Sequence, residues 1–156
     1  VKTVYKELVI MIGIQGSGKS TYIDKCMVGK YQIMCIDDVR RAFGDIYNHR
    51  TEPIVRGVAD MMARAFFERG LPVVVDATNV SIGMLKKWED LADQYEYKLS
   101  AIYMDIPIET CKKKIGINKL TEEVYERTIA QLEVVKLYLF GDFNSKYMVK
   151  VVSNWI

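Results

Sequence analysis

Eight consecutive residues, Gly13-Ile14-Gln15-Gly16-Ser17-Gly18-Lys19-Ser20, constrain this chain more than any other stretch. They match the pattern G-x-x-x-x-G-K-[ST], and their setting matters as much as their identity. Before them runs Leu8-Val9-Ile10-Met11-Ile12, a continuous apolar run that reads as a strand buried on both faces. After them a helix is expected from Lys19 to about Met27, with Gly29 as its stop. A loop in that position can wrap a triphosphate with backbone N–H groups, aided by the positive end of the following helix. Its side chains must then be small, which accounts for Gly13, Gly16 and Gly18. Lys19 has the reach for the β- and γ-phosphates, and the Ser20 hydroxyl is placed to ligate Mg²⁺. Gln15, Ser17 and Thr21 complete the expected nucleotide-binding set, and the expected ligand is ATP with Mg²⁺.

The rest of the chain alternates between short apolar runs and helical stretches. Further strands are expected at Gln32–Ile36, Val73–Val75, Leu99–Met104 and Met148–Val152. Thr51-Glu52-Pro53 opens a long helix ending at Gly70, with Thr51 as cap and Pro53 in the first turn. Ile54, Val58, Met61, Met62, Ala65 and Phe66 are expected to line its inner side. Ser81 caps a helix through about Gln94, and another runs from Thr121 to about Leu139. The stretch from Lys112 to Asn118 is the least regular and is expected to be a mobile loop. Strands alternating with helices predict a mostly parallel sheet with helices on both faces. Such sheets bind ligands at the carboxyl ends of their strands. The first four strands end at Gly13, Asp37, Asp76 and Asp105, so the acids at these ends are the first candidates for chemistry.

Asp37 and Asp38 can serve as a general base or as indirect Mg²⁺ ligands, or simply cap a helix. Position and company favour function for Asp37 and Arg40. Asp76, closing the Val73-Val74-Val75 run before Ala77-Thr78-Asn79, is placed to hold Mg²⁺ or its water. Asp105 before Ile106-Pro107 reads as a structural turn, and His49 as a solvated loop residue. Arg56, Asp60 and Arg64 are spaced to support their own helix.

The 156 residues suit one domain with its own core. Net charge is +2, too small to argue for nucleic acid or an anionic membrane, although a local basic rim would suffice for a few phosphates. Cys26, Cys35 and Cys111 are scattered and only one histidine is present, so neither a structural zinc site nor a disulfide is expected. No apolar run is long enough to cross a bilayer, the first residues lack a signal-peptide layout, and the expected location is the cytoplasm.

Three blocks, Gly13–Ser20, Asp37-Asp38-Val39-Arg40 and Asp76-Ala77-Thr78-Asn79, together resemble the 5′-kinase domain of polynucleotide kinases. That domain lies within a wider group of small P-loop kinases that includes zeta-toxin-like enzymes. The resemblance implies a three-layer α/β/α sandwich around a five-stranded parallel sheet ordered 2-3-1-4-5. It implies a single kinase domain over residues 1–156, with a short lid at about 112–120. Asp37 would take the proton from the acceptor hydroxyl, and Arg40 would bind the acceptor's phosphate. Asp76, Thr78 and Asn79 would shape the acceptor side, and Ser20 and Asp76 would hold the metal. The implied partners are ATP and a nucleic-acid acceptor, a DNA or RNA end bearing a 5′-hydroxyl. Lids of this family carry arginines; here the matching segment has only lysines, with Lys114 the best match to the first of them.

Two other functions fit parts of the pattern. A P-loop kinase for a small or modified acceptor (nucleoside, sugar-nucleotide or modified base) would use the same loop. A nucleotide-driven switch or ATPase fits less well. A guanine-binding N-K-x-D signature would need Asp where Thr121 stands, and a motor ATPase would carry Glu where Ala77 follows Asp76.

Overall fold

The computed structural model describes residues 5–44, 47–115, 122–141 and 145–153. Within them the chain runs β1 (Glu7–Ile12), α1 (Lys19–Cys26), β2 (Gln32–Cys35), α2 (Ile36–Ala42), α3 (Glu52–Glu68) and β3 (Val73–Asp76). It continues through α4 (Ile82–Tyr95), β4 (Lys98–Met104), α5 (Ile108–Ile115), α6 (Glu122–Phe140) and β5 (Met148–Val152). The strands form one parallel sheet ordered β2-β3-β1-β4-β5, the order implied by the family resemblance. The central strand β1 pairs on both sides, so Leu8 through Ile12 are buried on both faces, as a continuous apolar run requires.

Strand order assigns the helices to layers. The step from β1 to β2 runs toward one edge, whereas β2→β3, β3→β4 and β4→β5 run toward the other. Right-handed crossovers then place α1 on one face and α2 through α6 on the opposite one. Two contacts agree. Lys150 Nζ donates to the Tyr22 hydroxyl of α1, while Tyr103, on the other face, packs edge-on against Phe140 of α6.

Three local expectations differ from what forms. The buried stripe of α3 is Val55, Ala59, Ala63 and Phe67, with Val58, Met62 and Phe66 flanking it. Ile54 and Met61 are exposed, and so is Ala65. Small alanines let the helix approach the sheet closely, whereas hydrophobicity alone points to the bulkier side chains. Arg56 leans on Glu52 rather than Asp60, whose carboxylate pairs with Lys87 of α4. Lys112–Ile115, expected as irregular, completes α5, and Glu109 in its first turn and three lysines in its last suit the helix dipole. Residues 116–120, the remainder of the expected lid, lie outside the described residues.

Candidate active site

The carboxyl ends of β1 and β3, and the start of α2 beyond β2, converge at one edge of the sheet. Strand β2 passes directly into α2, so Asp37 stands in the first helical turn, not in a loop. Cys35 lies beside Asp76 in register, which brings the second and third acidic blocks side by side. The β1–α1 loop is tied down from the same quarter. Gly13 N donates to the Thr78 carbonyl at 3.2 Å, and Asn79 Nδ2 donates to the Met11 carbonyl at 2.7 Å. Asn79 is buried with a left-handed φ of 52°, a conformation asparagine tolerates better than most residues. Its amide therefore braces the loop from beneath, while half-buried Thr78 meets the loop through its backbone.

The loop has the form of an anion cradle. Gly16 adopts φ +82°, and an added methyl group there would run into the Cys111 carbonyl oxygen of α5. Only glycine lets α5 lie so close. Lys19 is buried, its Nζ donating to the carbonyls of Gly13 at 2.8 Å and Ile14 at 3.0 Å. Burial lowers its pKa to about 8, against the opposing pull of Asp76 and Asp37. Ser17 Oγ and Gln15 Oε1 are buried without a hydrogen-bond partner among the described residues. A buried hydroxyl without a partner is costly in isolation and suits a site that receives polar oxygens. Thr21 is exposed on α1.

Ser20 Oγ donates to Asp76 Oδ2 at 2.9 Å across 56 residues of sequence. Burial raises the Asp76 pKa, partly offset by the Ser20 hydrogen bond and by Lys19. This hydroxyl–carboxylate pair fits Mg²⁺, which takes one or two protein oxygens and leaves the rest of its shell to water and phosphates.

Arg40 is held from two sides. Its Nε and Nη2 donate to Glu52 Oε2 and Oε1 at 3.1 and 2.7 Å, and its Nη1 pairs with Asp37. Glu52 is buried, and hydrogen bonding to Arg40 holds its carboxyl below the ordinary 4.5. A guanidinium has five N–H donors, and with Nε, Nη1 and Nη2 each engaged once, one hydrogen on each of Nη1 and Nη2 remains for an oxyanion. Asp37 remains exposed despite the pair. Asp38 is occupied with Arg41 at the surface. Glu52 was not among the candidates read from sequence. Its only signal there was its place beside Pro53 in a helix start, where an acid is ordinary. Thr51, expected to cap α3, makes no side-chain cap; its hydroxyl donates instead to the Asn48 carbonyl.

Helix α5 brings the lysines. Lys112 is engaged with Glu122 at 3.2 Å, whereas Lys114 is exposed three residues beyond Cys111, where α5 meets Gly16.

Glu52→Ala is expected to lower the unfolding free energy by about 1–3 kcal/mol, because it strands the half-buried Arg40 without its bidentate partner. Adding Arg40→Ala should cost less than the sum of the two single effects, as measured by urea denaturation. The carboxylate is depressed in the folded state, so its contribution is present at neutral pH. It fades as pH falls below about 4.5, through the lowered value.

Residues 8–138 match the family described as an AAA domain. A protein of Autographa californica nuclear polyhedrosis virus, whose name assigns it polynucleotide kinase and RNA ligase activities, is 32% identical over 125 residues. The match takes in 70% of this chain and 18% of that protein. Among solved structures, one of a Pnkp1/Rnl/Hen1 RNA repair complex superposes with a TM-score of 0.70 at 24% identity, covering 86% of this chain and 46% of the other. A second structure of that complex gives 0.61 at 25% identity, covering 78% and 43%. A protein of Chloroflexus aurantiacus assigned as a kinase gives 0.63 at 13% identity, covering 97% and 90%. The chain thus spans less than half the length of the viral relative and of the RNA repair protein. The likeness supports the P-loop kinase fold, the five-stranded order and the resemblance of the chain to polynucleotide kinases.

Proposed function

The chain belongs to the AAA domain family, and from that premise we propose that it is an ATP-dependent kinase transferring the γ-phosphoryl group to the 5′-hydroxyl of a polynucleotide. The observation that carries this reading is the Asp37–Arg40–Glu52 cluster, whose Asp37 lies near enough to the phosphate loop to act on the charge of Lys19. It offers an exposed carboxylate and two unengaged guanidinium N–H groups side by side. The first suits a hydroxyl and the second suits a phosphate on the same acceptor.

Backbone N–H groups of Gly13–Ser20 wrap the β- and γ-phosphates, and Lys19 exchanges its two carbonyl partners for phosphate oxygens. Ser20 and Asp76 would hold Mg²⁺, which would supply positive charge to neutralise the transferring phosphates. Asp37 accepts the hydroxyl proton as the acceptor oxygen bonds to the γ-phosphorus. The bond to the β–γ bridging oxygen breaks, and ADP leaves with its electron pair. Arg40 orients the acceptor through the phosphate next to the reacting sugar. Lys114 supplies positive charge from the lid side, as a point charge rather than a fork.

Arg40→Ala should raise the KM of a phosphate-bearing acceptor about tenfold or more and leave that of ATP nearly unchanged, since charge-assisted pairs are the stronger hydrogen bonds. Labelled-ATP transfer to 5′-hydroxyl oligonucleotides and to nucleosides measures it, at two salt concentrations. Salt should weaken only the oligonucleotide, through counterion release. Equal effects on phosphate-bearing and phosphate-free acceptors would favour a second reading, a kinase for a smaller acceptor. The absence of arginine from residues 108–120 is what favours that reading.

A further inference from the structure

Helix α2 carries Asp37 and Arg40, then stops, and the chain turns back to begin α3. In that corner lies a hollow of about 420 Å³ lined by Phe43, Gly44, Tyr47, Asn48, His49 and Thr51. Its two rings are left in solvent: Phe43 is 47% exposed and Tyr47 is 68% exposed. The hollow abuts the acceptor cluster from both sides. Phe43 follows Arg40 by three residues at the C-cap of α2, and Thr51 immediately precedes Glu52, which grips Arg40. Phe43 is six residues past Asp37, about 9 Å along the helix at its standard rise. The P-loop lies at the opposite, N-terminal end of α2, where Asp37 acts on Lys19. A ligand in the hollow therefore continues from the acceptor, not from ATP.

We propose that this hollow is a stacking subsite for an unpaired nucleobase near the 5′ end of the acceptor strand. It rests on the polynucleotide reading above and deepens it. Single strands are gripped by aromatic faces on which bases stack, combined with positive charge that follows the backbone. Phe43 and Tyr47 provide the faces, the imidazole of His49 adds a third planar group, and exposed Arg50 adds charge at the rim. The hollow's volume falls within the roughly 300–1,000 Å³ of small-molecule sites, enough for a planar base. Every base has a π-face, so the subsite reads the presence of a base and little of its identity. It orders the strand so that the adjoining phosphate meets Arg40 and the terminal hydroxyl meets Asp37.

The test compares two acceptors in labelled-ATP transfer: a 5′-hydroxyl oligonucleotide, and the same strand with abasic sugars at its first two positions. The wild-type protein should show a KM about tenfold higher for the abasic strand. Tyr47→Ala and Phe43→Ala should raise KM for the ordinary strand about as much and erase the difference, with KM for ATP unmoved. Tyr47→Phe, which keeps the ring, should retain the preference. Both rings are exposed, so circular dichroism should find the variants folded. Equal KM values for the two strands in the wild-type protein, or a preference that survives both alanine substitutions, would overturn the subsite while leaving the acceptor class standing. Transfer to neither strand would overturn both.

Discussion

Replacing Lys19 by alanine is expected to abolish phosphoryl transfer, by at least about 10²–10³-fold in kcat, with the fold retained. The side chain is buried in the loop with both its hydrogen bonds made to loop carbonyls, and in the proposed reaction its ammonium meets the charge that develops on the transferring group. Near-normal turnover in labelled-ATP assays of the alanine variant would remove the assignment. ATP binding should carry a pH signature as well. Burial holds Lys19 at about 8 in the free protein, and bound phosphates, being anionic, raise that value. Binding therefore takes up a proton above pH 8, and affinity should weaken as pH climbs past it, by up to about tenfold per unit. Below pH 7 this dependence should vanish. Calorimetric titration at pH 7 and pH 9 measures it, and Lys19→Ala should flatten the profile.

Asp37→Asn should lower kcat by about 10²–10⁴-fold, the usual cost of losing a general base, and weaken ATP binding far less. The carboxylate lies at the surface, tied to Arg40 and not to Ser20, the hydroxyl that meets Asp76. The two acids thereby have different partners, Asp37 with Arg40 and Asp76 with Ser20, and the proposed mechanism gives the first to the acceptor and the second to the donor. Asp76→Asn should show the contrast, acting first on Mg²⁺-dependent ATP binding. If Asp37→Asn abolished binding of Mg·ATP and left single-turnover chemistry of the bound complex intact, Asp37 would be a metal ligand and the base would have to be sought elsewhere.

The phosphate loop was legible from residue order because its chemistry is local. A buried strand, three glycines and a Lys-Ser pair opening a helix are consecutive, and each conformation depends mostly on its neighbours. The acids at strand ends were legible for a related reason. The parallel-sheet rule converts a position in a sequence pattern into a position in space. Asp37 and Asp76 come together because β2 and β3 pair in register at Cys35 and Asp76. Less legible were the short helices α2 and α5, each within a turn or so of the nucleation limit and held by packing rather than propensity.

Contacts between distant residues depended on the assembled sheet. Glu52 reaches Arg40 across 12 residues only because α3 folds back along α2. Asn79 supports Met11 across 68 residues, and Ser20 meets Asp76 across 56, because β3 and β1 are neighbours. Gly16 reads in sequence as a small residue that lets the loop wrap phosphates, yet its lack of a side chain is demanded as well by a carbonyl 95 residues away, at Cys111. Sequence alone thus determined where the glycine-rich loop lies and which strands present the acids, since period and motif encode local geometry. Tertiary structure decided which acids hold the guanidinium, what braces the loop and where aromatic rings stand open near Arg40. Those outcomes depend on which crossovers bring separate elements within hydrogen-bonding distance, and no local pattern records that.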